Sequence, residues 1–134
     1  MKRRHFLALS ALSLGTFPAW SETSQTVDFT PEAYKEALES GKPLLLDFTA
    51  SWWPVCRSQE RTVSALIENN EAYRAVTVMK VDWDKFRGEP ITKELNVRRQ
   101  ATLVMFNDGK EVDRLISQTS ADIIRQLFDK AVAG

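Results

Sequence analysis

Apolar residues recur along this chain in two rhythms. From Leu44 to Phe48 they run on continuously, broken only by Asp47, whereas Tyr34, Ala37 and Leu38, and later Ile123, Ile124, Leu127 and Phe128, fall three or four residues apart. An unbroken run suits a strand covered on both faces of a sheet, and the wider spacing suits a helix with one face inward. On this basis the pattern predicts a short edge strand at Val27–Phe29 and then a helix opened by Thr30-Pro31-Glu32, with threonine as N-cap and proline in the first turn. Gly41 followed by Lys42-Pro43 stops that helix and releases the Leu44–Phe48 strand. A long helix follows over Val55–Asn69, with Val63, Leu66 and Ile67 on its inner face.

Beyond it, Ala75–Asp82 carries the β-branched Val76, Val78 and Val81 and reads as the next strand. Pro90–Asn96 reads as a short helix, Thr102–Phe106 as a strand, Asn107-Asp108-Gly109 as a hairpin turn, and Lys110–Ile116 as the antiparallel return. Thr119 or Ser120 caps a final helix that turns Ile123, Ile124, Leu127 and Phe128 inward. Strands alternating with helices, then a closing hairpin and helix, give an α/β class: a central mixed sheet flanked by helices.

The N-terminus has a different character. Lys2, Arg3 and Arg4 precede an apolar run from Phe6 to Phe17, followed by Ala19-Trp20-Ser21. A basic start, a short apolar stretch and small residues two apart describe a cleavable signal peptide over residues 1–21, leaving one domain over residues 22–134. The apolar run is well short of the ~20 residues that span a bilayer, so no stable membrane anchor is expected. Arg3-Arg4-His5-Phe6-Leu7 also resembles the twin-arginine export motif, which implies a periplasmic destination.

Composition narrows the chemistry. The 134 residues balance 18 basic against 18 acidic side chains, and no basic face stands out, so nucleic-acid binding has no electrostatic footprint. Removing residues 1–21 leaves 15 basic against 18 acidic residues and takes away His5, the only histidine. A chain without imidazole runs neither a Ser-His-Asp nor a Cys-His mechanism. A single cysteine, Cys56, forms neither an internal disulfide nor a cysteine-rich metal site. Asp82 and Asp84 stand two apart with no further ligand set in view, so neither a metal nor another cofactor is expected.

Candidate chemistry gathers at Ala50-Ser51-Trp52-Trp53-Pro54-Val55-Cys56-Arg57, where a strand hands over to a helix. Cys56 falls in the first helical turn, at the positive end of the backbone dipole and beside Arg57. Leu46-Asp47-Phe48 in the preceding strand, this tryptophan-rich turn, and the later stretch Asn96-Val97-Arg98-Arg99-Gln100-Ala101-Thr102-Leu103-Val104-Met105-Phe106 with Asn107-Asp108-Gly109-Lys110 resemble the landmarks of the thioredoxin family. The resemblance covers nearly all of residues 28–132 and implies a thioredoxin fold. It places Trp53 where the family has its attacking cysteine, Cys56 where it has the resolving cysteine, and Ala101 where it has a cis-proline.

The resemblance implies partners that are protein thiols and disulfides or extended polypeptide segments, and ordinary dithiol turnover that is lost because exchange needs both sulfurs. Cys56 then stands either as a monothiol or as a buried, inert filler. Asp47 is either a proton shuttle, its pKa raised by burial, or an inherited buried polar residue. Without proline the Gln100-Ala101 peptide is expected trans. Trp52, Trp53, Arg57 and the Gln100-Ala101-Thr102 loop form the expected binding surface, with Trp53 folded over Cys56 as the plainer possibility. Arg98 and Arg99 offer an attraction for anions or a solvated pair.

Overall fold

The structure, a computed structural model, describes residues 25–132; the expected signal peptide and its cleavage point lie outside them. A five-stranded mixed sheet in the order β1-β3-β2-β4-β5 forms the centre. β1 (Thr26–Asp28), β3 (Thr77–Asp82) and β2 (Leu44–Thr49) run parallel, while β4 (Thr102–Asn107) and β5 (Lys110–Ile116) are antiparallel to their neighbours. β1 and β5 are the edges.

The unbroken apolar run of β2 is explained by its position. Leu44, Leu46 and Phe48 point to one face, where they pack with Met79, Val81, Val104 and Phe106 under α1 (Pro31–Ser40). Leu45 points to the other, joining Val78, Leu103 and Met105 against Val63 of α2 (Pro54–Asn69) and Ile124, Leu127 and Phe128 of α5 (Ala121–Val132). Burying a side chain of this size contributes about 1.5–3 kcal/mol, so this two-sided core dominates the stability. Thr30 caps α1 by accepting from the Ala33 amide at 3.0 Å, and Gly41 closes it at φ 74°, a left-handed geometry in which glycine is unstrained. Asp108 and Gly109, at φ 57° and 75°, make the two-residue hairpin turn.

Several boundaries differ from the sequence expectation. Ala75 ends a 3-10 turn over Glu71–Ala75, which Asn70 caps through a 3.1 Å bond from the Ala72 amide, so β3 begins only at Thr77. The helix α3 (Trp83–Phe86) arises because Asp82 accepts from the Asp84 amide at 3.0 Å. α4 (Pro90–Glu94) ends before Asn96, whose φ of 55° leaves the helical region. Ile123, expected inward, is 37 % exposed; the buried residues of α5 are Ile124, Leu127, Phe128 and Ala131. Leu66 and Ile67 are only half-buried at the border of the core.

Candidate functional site

The strand-to-helix turn sits at the C-terminal end of β2. Trp53 has extended backbone as the N-cap of α2 and supplies no side-chain cap; Pro54 fills the first turn, where its missing N–H costs nothing. The Trp53 amide donates to the Ala50 carbonyl at 3.0 Å and its carbonyl accepts from the Arg57 amide at 3.2 Å, which fixes the turn. Cys56 is a free thiol, 2 % exposed, and its Sγ accepts from the Ala50 amide at 3.4 Å. It clusters with fully buried Ala50 and Ala101, with Val55 and the half-buried Trp83 packed against the group. Trp83, not singled out from the sequence, therefore contributes to the cover of the sulfur.

Trp52 and Trp53 stand outward at 54 % and 37 % exposure, their rings edge-to-face at 5.7 Å between centroids. Trp52 Nε1 donates to the Asp84 carboxylate at 2.8 Å. The two carboxylates around Trp83 thus have structural employment, Asp82 as the α3 cap and Asp84 as the tether of Trp52. Arg57 is exposed on the first turn of α2.

The facing loop is bound from several sides. Among the described residues there is no cis peptide bond, so Gln100-Ala101 is trans as expected. Ala101 is fully buried at φ 62°, a left-handed conformation that costs a residue with a Cβ roughly 1–2 kcal/mol. Its amide, a donor that proline lacks, gives a 2.8 Å bond to the Phe48 carbonyl, and its own carbonyl accepts from the Ser117 amide at 2.8 Å. A second donor to that carbonyl is Gln59 Nε2 at 3.1 Å, which also reaches the Gln118 carbonyl at 2.8 Å. Gln59 is fully buried, its Oε1 has no partner among the described residues, and it locks the Ala101 loop to α2 and to the chain after β5. Sequence reasoning missed it; the signal was a glutamine at the inward position one turn before Val63. Gln100 is half-buried, and Thr102 Oγ1 donates to the Arg99 carbonyl at 2.8 Å.

Asp47 lies on the α2 side of β2, 3 % exposed. It lines an 80 Å³ cavity with Thr26, Glu60, Val63, Ser64, Ile67, Val78 and Lys80, in which Glu60 and Lys80 pair at 3.1 Å. Burial raises its carboxyl pKa to about 7, the Glu60 carboxylate adds to the rise, and Lys80 opposes it. Glu60 stands one helical turn after Cys56 on α2, and it meets Asp47 and Lys80 in this cavity. The Glu60 and Lys80 members of this group were not apparent from the sequence, because their approach depends on the parallel register of β2 and β3 that sets Asp47 opposite Lys80.

Among the described residues no cluster of three or more cysteine, aspartate or glutamate side chains could hold a metal, and no helix is long and apolar enough to cross a membrane. The thioredoxin family model matches residues 25–130. Thioredoxin from Mycolicibacterium smegmatis is 31% identical over 113 residues, covering 81% of this chain and 97% of that protein. Thioredoxin H2 of Arabidopsis thaliana is 30% identical over 112 residues, 80% of each. The crystal structure of Trxlp from Edwardsiella tarda superposes with a TM-score of 0.71 at 32% identity, covering 78% of this chain and 98% of that one. The mixed sheet, its flanking helices and these likenesses together establish a thioredoxin fold, and the chain belongs to the thioredoxin family.

Proposed function

We propose that this is an exported member of the thiol–disulfide exchange family, of the redox-homeostasis type, in which dithiol turnover has been lost. The single observation that carries the reading is the pairing at the head of α2: an exposed indole at Trp53 and a lone, 2 % exposed thiol at Cys56. Dithiol exchange stores two electrons by joining two sulfurs within one chain, and only one is present. Covalent work then falls to Cys56 as a monothiol. Its thiolate attacks a partner disulfide, forming a mixed disulfide and releasing one partner thiolate; a second thiol, from the partner or a small-molecule thiol, breaks that bond and returns Cys56 reduced. Asp47 would take and return the proton on Cys56. Export through the twin-arginine route to the periplasm is part of the proposal and rests on residues 1–21.

A second reading has its own observation. Trp52 and Trp53 are large, exposed and next to each other, the kind of aromatic pair that anchors protein contacts. A non-catalytic module would hold polypeptide partners on Trp52, Trp53, Arg57 and the Gln100-Ala101-Thr102 loop without exchange. Rapid alkylation of the protein in periplasmic extracts, followed by mass spectrometry of the Cys56 peptide, separates the two. Cys56 recovered in mixed disulfides supports the monothiol. Cys56 recovered only as free thiol, with partners still co-purifying through Trp52 and Trp53, supports the binding module. Recovery in the cytoplasmic fraction with an intact N-terminus refutes export.

A further inference from the structure

Between the first turn of α1 and the α3–α4 connection lies a 260 Å³ cavity. It belongs to the face of the sheet that α1 covers, whereas Cys56 stands on α2, which packs on the opposite face. Three rings wall it. Phe29 and Phe86 meet edge-to-face at 80° and 5.0 Å between centroids, and Tyr34 is tilted 48° from Phe29 at 5.8 Å. Rings set at such angles form a corner, which brings more than one electron-rich face within reach of a compact cation. Phe29 and Ile91 are buried while Tyr34 and Phe86 are half-buried, so the core holds the rings in place and leaves part of their surface free.

The charges around the rings have one sign. Glu89 and Glu94 line the cavity with no basic side chain among the described residues, and neither forms an ion pair there. The Tyr34 hydroxyl feels their field: its pKa is raised first by burial, then by Glu94 and by Glu111. The backbone denies the same place to an anion. Both helices that start here, α1 at Pro31 and α4 at Pro90, begin with proline, which has no N–H to offer, and Thr30 already takes the Ala33 amide. Glu32 in the first turn of α1 offsets the positive end of that helix. The Phe86 ring already draws one cation, since Lys85 Nζ stands 5.2 Å from its centroid, but Lys85 lines the neighbouring cleft and not this cavity. At 260 Å³ the cavity is a little smaller than the ~300–1,000 Å³ typical of ligand pockets, which suits a compact molecule. A methylated ammonium uses every wall: its methyl groups meet the rings, the prolines and Ile91, and its charge meets the ring faces and two carboxylates.

We propose that the cavity between α1 and the α3–α4 connection binds a small quaternary ammonium compound, its methyl groups against Phe29, Tyr34 and Phe86 and its charge balanced by Glu89 and Glu94. This binding goes beyond the thiol reading and does not need Cys56.

Choline is the probe, titrated into the protein while NMR follows the ring protons of Phe29, Tyr34 and Phe86. Saturable shifts of these rings are expected, with the same midpoint in Cys56→Ser. The neutral alcohol in which carbon replaces choline's nitrogen has the same shape and no charge, and it is expected to bind roughly tenfold more weakly. Glu89→Gln/Glu94→Gln is expected to weaken choline roughly threefold or more, because two attractions at exposed carboxylates are lost. Phe86→Leu keeps an apolar wall without a ring face and is expected to weaken choline more than the neutral alcohol. An unchanged circular dichroism spectrum verifies each fold, and the glutamine pair, at exposed positions, carries the test independently of Phe86. Equal affinity for the neutral alcohol, wild-type affinity in the glutamine pair, or choline that leaves the three rings unshifted overturns the proposal. Tighter binding of a trimethyl-lysine peptide than of choline overturns it in favour of a protein partner.

Discussion

Replacing Asp47 by asparagine removes a charge that the fold holds at a loss, and the size of the effect follows from its surroundings. The carboxyl is 3 % exposed, and its pKa moves from the ordinary 3.8 to about 7, chiefly through burial and secondarily through Glu60. A carboxyl whose pKa is raised on folding stabilises the fold fully below its unfolded value, and that stability is lost as pH rises through about 7. At ~1.4 kcal/mol per pH unit the whole span is worth about 4 kcal/mol, of which about 2–3 kcal/mol falls between pH 5 and pH 9. Urea unfolding at those two pH values, followed by tryptophan fluorescence, gives the comparison. The wild type is expected to lose that increment relative to Asp47→Asn as pH rises, with groups common to both proteins cancelling in the difference. Glu60→Gln is expected to lower the midpoint of the loss, and Lys80→Met to raise it. Parallel pH profiles for wild type and Asp47→Asn would refute the reasoning, because they would mean that Asp47 is ionised in the fold without penalty.

Ala101→Pro is expected to destabilise the fold by about 2–4 kcal/mol in chemical denaturation, since proline cannot adopt φ 62° and lacks the amide that bonds Phe48 at 2.8 Å. Asp84→Ala frees the Trp52 indole at an exposed site; stability is expected to fall by less than about 1 kcal/mol while tryptophan emission shifts to the red. Cys56 is expected to react with a chromogenic disulfide reagent far more slowly in native protein than in urea, because its sulfur is covered; equal rates would contradict the burial.

The scaffold was legible in the sequence because each element had a local cause. Thr30 and Pro31 start a helix, Gly41 ends it, Asp108-Gly109 make a tight hairpin, and the Leu44–Phe48 run has one stable place, in the middle of a covered sheet. What was not legible arises between elements. Gln59 looks like any polar helix residue until Ala101 and Gln118 come within reach of its amide. Glu60 and Lys80 reach Asp47 through strand register, and Trp83 covers Cys56 through the unforeseen α3 turn. Ile123 shows the opposite error: its spacing fits the inward face, but it is 37 % exposed, while Ile124, Leu127, Phe128 and Ala131 are the buried residues of α5. Ala101 combines both situations. Its trans peptide followed from the absence of proline, whereas its left-handed backbone depends on partners in β2, α2 and the chain after β5.

Insulin reduction with dithiothreitol as donor, run on wild type, Trp53→Cys and Cys56→Ser, tests whether the missing sulfur has removed dithiol turnover. Wild-type protein is expected to fall far below Trp53→Cys, because Cys56 has no second cysteine in the chain and turns over only through an external thiol. A wild-type rate equal to that of Trp53→Cys, or acceleration that persists in Cys56→Ser, would contradict the loss of dithiol turnover, whereas a small acceleration abolished in Cys56→Ser is what the monothiol cycle gives.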